Sequence, residues 1–110
     1  MGGYTVYLMG FHDSDLSADE QTKLDDHIAK WGAGWSGDAY KPMDKRNSAF
    51  QNVAGTFADE PRADGKHIII YQEINIDSSE KDKFLQAFSD IKTVCPTAVF
   101  EAHDESGKIA

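Results

Sequence analysis

Hydrophobic and polar residues recur with two periods along this chain, and the switches between them mark out its elements. Residues 4–11 (YTVYLMGF) are aromatic and β-type, with Tyr4, Val6 and Leu8 in one alternating set and Tyr7, Met9 and Phe11 in the other. A strand apolar on both sets is covered on both faces, so this segment predicts a central strand. The period then lengthens. Leu24, Ile28 and Trp31 fall at i, i+4 and i+7, with Asp19, Lys23, Asp26 and Lys30 opposite, which predicts a helix packed through one stripe. Ser17 and Glu20 frame its start as a capping box, and Gly32 and Gly34 end it.

Beyond a weaker strand near residues 35–40, residues 42–66 read as an insertion. Phe50, Val53 and Phe57 predict a short helix starting near Asn47 or Ser48 and broken by Pro61, followed by a tight turn at Asp64-Gly65. Residues 67–74 (HIIIYQEI) form the strongest strand pattern in the chain. Asp77 and Glu80 open a second helix with Phe84, Leu85, Phe88 and Ile91 on its apolar side and Pro96 beyond its end. Residues 97–103 alternate Ala98, Phe100 and Ala102 against Val99, Glu101 and His103, the pattern of a last strand, and residues 104–110 read as a loose tail.

The order is strand, helix, weak strand, insertion, strand, helix, strand. It predicts one α+β domain over residues 1–110, a ferredoxin-like split βαβ sandwich with a four-stranded, antiparallel-type sheet of order 4-1-3-2 and two helices on one face. The first and third strands are expected as parallel neighbours, which would carry His12 and Asp13 toward Gln72 and Glu73.

Charge changes the picture in one respect. The 110 residues carry a formal net charge of −8, yet residues 41–66 are nearly balanced: Lys41, Lys45, Arg46, Arg62 and Lys66 against Asp44, Asp59, Glu60 and Asp64. An acidic body repels nucleic acid and anionic membranes, so neither is expected as a direct partner. No apolar run approaches the ~20 residues needed to span a bilayer. The start Met1-Gly2-Gly3-Tyr4 lacks the basic flank of a secretory signal, and Val6 stands where a myristoylation signal has Ser or Thr. The one cysteine, Cys95, excludes an internal disulfide, fits a reducing, cytoplasmic setting and reads as a small core residue.

Local motifs add little. Gly32, Gly34 and Gly37 match G-x-G-x-x-G but follow a helix, whereas a phosphate cradle follows a strand and opens a helix. Asp13, Asp15 and Ser17 have the spacing of a calcium loop, with Ala18 and Leu24 where Gly and Glu are required. Tyr7 and Tyr71 on neighbouring strands resemble the stacking aromatics of RNA-recognition sheets, without the basic, glycine-containing signature of that family. No cofactor is implied.

An open sheet face bearing Tyr7, Met9 and Tyr71 needs a cover: the insertion with Phe50 and Phe57, a second copy, or another protein. Two such sheets face to face resemble the small dimeric α+β barrels that include cofactor-free oxygenases and cyclases. In that reading Tyr7, Tyr71 and His12 are the catalytic candidates, acting on a small apolar substrate, with His12 as base. The insertion resembles, in position and length alone, the regulatory loop of the nitrogen-signalling PII proteins. His12, Asp13 and Glu73 are the candidates for a metal or small-ligand site.

The leading expectation is a non-enzymatic binding or regulatory protein whose partner is another protein or a second copy of itself. It would act through Lys45, Arg46, Phe50, Phe57 and Arg62 of the insertion or through Asp19, Asp25 and Asp26 of the acidic helix. In composition it resembles the small acidic inhibitors encoded by phages and mobile elements, which implies competition with nucleic acid for a basic groove on the partner.

Overall fold

A computed structural model describes residues 3–33, 40–42 and 44–110; of residues 31–33 and 40–42 only the backbone is described. The elements are β1 (Gly3–His12), α1 (Ala18–Ala33), β2 (Tyr40–Pro42), α2 (Ser48–Ala54), β3 (His67–Asp77), a 3₁₀ turn (Ser78–Glu80) leading into α3 (Lys81–Val94), β4 (Val99–Asp104) and β5 (Gly107–Lys108). Most of the strand expected near residues 35–40, the glycine pattern from Gly34 to Gly37, and Met1-Gly2 lie outside the described residues. The fold is α+β. Its sheet has the order β2-β3-β1-β4-β5, and every neighbouring pair is antiparallel.

Local chemistry accounts for the element boundaries. Ser17 Oγ accepts from the Glu20 amide at 3.2 Å, and Glu20 returns a longer contact to the Ser17 amide, so α1 starts on the expected capping box. Asp77 accepts from the Ser79 amide at 2.9 Å while Glu80 accepts from the Asp77 amide at 3.1 Å, fixing the turn into α3. Asn47 caps α2 by accepting from the Phe50 amide at 2.9 Å. This helix ends at Gly55 rather than at Pro61. Gly55 adopts φ +83°, the left-handed conformation that closes a helix, and donates its N–H to the Gln51 carbonyl at 2.8 Å. Gly32, expected as a terminator, lies inside α1.

β1 feeds two separate cores. Its inward set, Val6 and Leu8, packs with Leu24 and Ile28 of α1, Phe84, Phe88 and Ile91 of α3, and Ile70, Ile74, Ile76, Phe100 and Ala102 of the sheet. Its other set, Met9 and Phe11, is buried against Phe50 of α2, with Val53, Ile68 and Tyr71 at the margin. The expected two helices on one face are therefore only part of the arrangement: α1 and α3 lie on one face and a third helix, α2, lies on the other. Cys95 is 1% exposed and belongs to the first core.

Two expectations are corrected. β1 and β3 are antiparallel, not parallel: Gly3 pairs with Asp77, Tyr7 with Glu73 and His12 with His67, with a register shift at Gly10/Phe11. β2 is antiparallel to β3 and so runs with β1. The chain reverses once between β2 and β3, and that reversal sets β3 against β1. Residues 104–110 are not a loose tail. The Asp104 carboxylate accepts from the Ser106 amide at 2.7 Å in a turn completed by Gly107 at φ +123°. Ile109 then donates to the Ala102 carbonyl at 2.8 Å, and Ile109 and Ala110 pack on the first core.

Candidate functional site

The antiparallel register separates the sites expected from the sequence. His12 stands beside His67, whereas Glu73 stands beside Tyr7, five positions away along β1 or about 17 Å at strand rise. Both ring nitrogens of His12 are engaged. Nδ1 lies 2.7 Å from the Ser14 carbonyl oxygen and 3.3 Å from the Ser14 amide nitrogen, and Nε2 lies 3.0 Å from Thr97 Oγ1. Asp13 pairs with Lys66 at 3.0 Å, and that hydrogen bond holds its carboxyl below the usual carboxylate range. Among the described residues no group of three His, Cys, Asp or Glu is placed to hold a metal ion. His12, Asp13 and Glu73 thus do not form one cluster.

Tyr7 and Tyr71 are neighbours of different rows. Met9 stands opposite Tyr71, whose ring meets Phe50 edge-on with centroids 5.8 Å apart. Tyr7 lies instead in a row that crosses the sheet with one residue from each strand: Lys41, Glu73, Tyr7, His103 and Lys108 in register order. Glu73, Tyr7, His103 and Lys108, opposed in this way, project to the same face. Burial is the main reason the Tyr7 phenol is held above its ordinary range, with the charges of Glu73 and Glu105 adding to it. At neutral pH it is therefore a hydrogen-bond donor and not a nucleophile.

Beside this row lies a linked trio. Glu101 Oε1 is 3.0 Å from His103 Nε2, and Glu101 Oε2 accepts from Arg62 at 3.2 Å. Burial pushes the Glu101 carboxyl up, but the bonds from His103 and Arg62 outweigh it and hold the group below its ordinary value. Sequence reasoning placed Arg62 in a binding patch and gave His103 only as an alternating position of the last strand. The available signal was that Glu101 and His103 share one face of β4 at i, i+2. Nothing local to the sequence tied Arg62 to them.

Two basic residues of the insertion, Arg46 and Arg62, are paired with carboxylates. Arg46 bridges Asp59 at 2.9 Å and Glu60 at 3.1 Å, with its guanidinium 4.1 Å over the Phe57 ring. Arg62 lies 4.1 Å over Phe11 and pairs with Asp64 as well as Glu101. Phe50 is fully buried, which makes it an anchor of the insertion rather than a contact surface, while Lys45 is exposed. The insertion is accordingly a cover for the apolar part of the outer face. On α1, Asp19, Asp25 and Asp26 are exposed; Lys23 and Lys30 line a groove of about 450 Å³ against Thr93 and Val94 of α3. No helix among the described residues is long and apolar enough to cross a membrane. No protein-family model, curated protein or solved structure matches this chain.

Proposed function

We propose that this protein is a non-enzymatic binding module that acts through protein–protein contact, presenting an acidic surface centred on α1 to a basic partner and competing with nucleic acid for it. One observation carries the reading: Arg46 and Arg62 are spent on carboxylates within residues 59–101, so they do not offset the surface around α1. There, residues 15–30 hold five carboxylates and two lysines, and a sixth carboxylate, Asp13, is paired with Lys66. Such a surface accelerates association with a cationic groove and makes it strongly salt-dependent. Within the α+β fold, we read the helices between β1 and β2 and between β3 and β4 as a ferredoxin-like split βαβ pair, supported by the neighbour order of the first four strands.

The test is capture of a partner from the native host, followed by titration with wild type and with the D19K/D25K/D26K variant. Affinity should fall steeply between 50 and 300 mM salt, on the order of tenfold or more, and the variant should not bind. Equal affinity of the variant removes the reading.

A second reading has one observation in its favour. Glu73, Tyr7 and His103 are only partly buried on the outer face. A second copy facing this row would form a dimeric α+β barrel enclosing a pocket for a small apolar substrate, with Tyr7 in its wall. A monomeric mass at micromolar concentration removes it.

A further inference from the structure

β3 carries one extra residue where it passes β1. Gly10 pairs with Ile70 and Phe11 with Ile68, which leaves Ile69 without a partner in the register. A bulge of this kind re-aims the side chains around it. Ile69 and Ile70 both pack on the first core, so Ile68 and Tyr71, three positions apart, share the outer face. The segment after α2 is folded back beside them. The Ala58 amide donates to the Lys45 carbonyl at 2.8 Å, and the Glu60 amide to the Phe57 carbonyl at 3.1 Å. Ala58 and Pro61 thereby line, with Ile68 and Tyr71, a recess of about 390 Å³.

The rim of this recess is charged and unevenly paired. Asp59 and Glu60 share the Arg46 guanidinium, at 2.9 and 3.1 Å. Asp15 of the β1–α1 loop and Lys45 of the insertion line the same space and are exposed. Among the described residues neither of their side chains has a partner. His67, also on the rim, can donate or accept and so does not select a charge. Size and charge narrow the occupant. The volume is near the lower end for ligand sites, roughly 300–1,000 Å³, which suits a molecule of amino-acid size. A phosphate-rich ligand would meet the carboxylates of Asp15, Asp59 and Glu60. A simple amine leaves Lys45 unanswered, and a simple acid leaves Asp15 unanswered. A zwitterion answers both, and a flat ring suits a floor made of Tyr71 and Ile68. We propose that this recess binds a free aromatic amino acid, with its ring against Ile68 and Tyr71, its carboxylate on Lys45 and its ammonium on Asp15. Asp19, Asp25 and Asp26, whose reversal tests the acidic surface of α1, do not line the recess, so the two readings fail separately.

The test is an NMR titration with L-phenylalanine that follows the Ile68 methyl and Tyr71 ring resonances. Two analogues run beside it: 3-phenylpropionate, which lacks the ammonium, and 2-phenylethylamine, which lacks the carboxylate. L-Phenylalanine should shift these resonances saturably, and each analogue should bind about threefold more weakly, the scale of one exposed ion pair. K45Q should weaken L-phenylalanine and phenylpropionate by about the same factor and should not weaken phenylethylamine. D15N should weaken L-phenylalanine and phenylethylamine and spare phenylpropionate. Both substitutions are on exposed side chains, so the fold is not at stake. No saturable shift at Ile68 and Tyr71 overturns the proposal. So does an analogue that binds as well as L-phenylalanine, or a substitution that weakens all three ligands alike or none.

Discussion

Gly10 stands where β1 passes between Ile70 and Phe100 at closer range than a side chain allows. A methyl group there would meet Ile70 Cγ2 at 2.6 Å and Phe100 Cε1 at 2.9 Å, both held within the first core. G10A should lose about 1–3 kcal/mol, read from the urea midpoint, as overpacking does elsewhere; an unchanged midpoint would mean that β1 shifts freely. Tyr4 gives a pH prediction. Burial first, then its bond to Asp104 at 2.8 Å, pushes the phenol up to about 12. The folded state thus holds this proton more tightly than the unfolded chain, whose tyrosines titrate near 10. Stability from this group is complete below pH ~10 and is lost as pH rises toward ~12. Y4F should flatten the decline in urea midpoint across that window, and an identical decline in Y4F would assign it to other groups.

At the scale of elements, α2 tests how the outer core is held. It has seven residues, too few to be stable alone, so its cap and its one buried side chain must hold it in place. N47A should cost ~1 kcal/mol and F50A ~3–5 kcal/mol by the same measurement. F50A should also free Tyr71 from its edge contact, visible as a shift of the ring resonances. Elements of this kind were legible in the sequence because their determinants are local: a capping residue, a glutamate three positions on, an apolar stripe. The C-terminal hairpin was not. Residues 105–110 carry no strand pattern, and Ile109 and Ala110 are ordered by bonds to Ala102 and by packing on the first core, whose members are scattered through the sequence. The end of α2 was misjudged for a simpler reason, since Pro61 is the stronger breaker by type but Gly55 comes first.

For the whole molecule, a net charge of −8 means self-repulsion opposes the compact state. The thermal midpoint should therefore rise by a few degrees from 20 to 200 mM NaCl as this repulsion is screened; a fall would show that the internal pairs of Arg46, Arg62 and Lys66 outweigh it. At this scale the sequence was least informative. The neighbour order of four strands followed from the βαβ rhythm, and an antiparallel sheet of that order already sets β3 against β1, so the parallel pairing expected for them was at odds with the predicted topology itself. That one direction decided which ionisable groups meet across β1 and β3, placing Glu73 beside Tyr7 and leaving His12 with His67.

Because β1 is shared, the two cores are not equivalent partners. The inner one has two long helices and most of the sheet behind it, whereas the outer one rests on Met9, Phe11 and Phe50. Breathing of the molecule should then be ordered: residues 48–62 can detach as a unit while the rest stays folded, but melting of the inner layer takes everything with it.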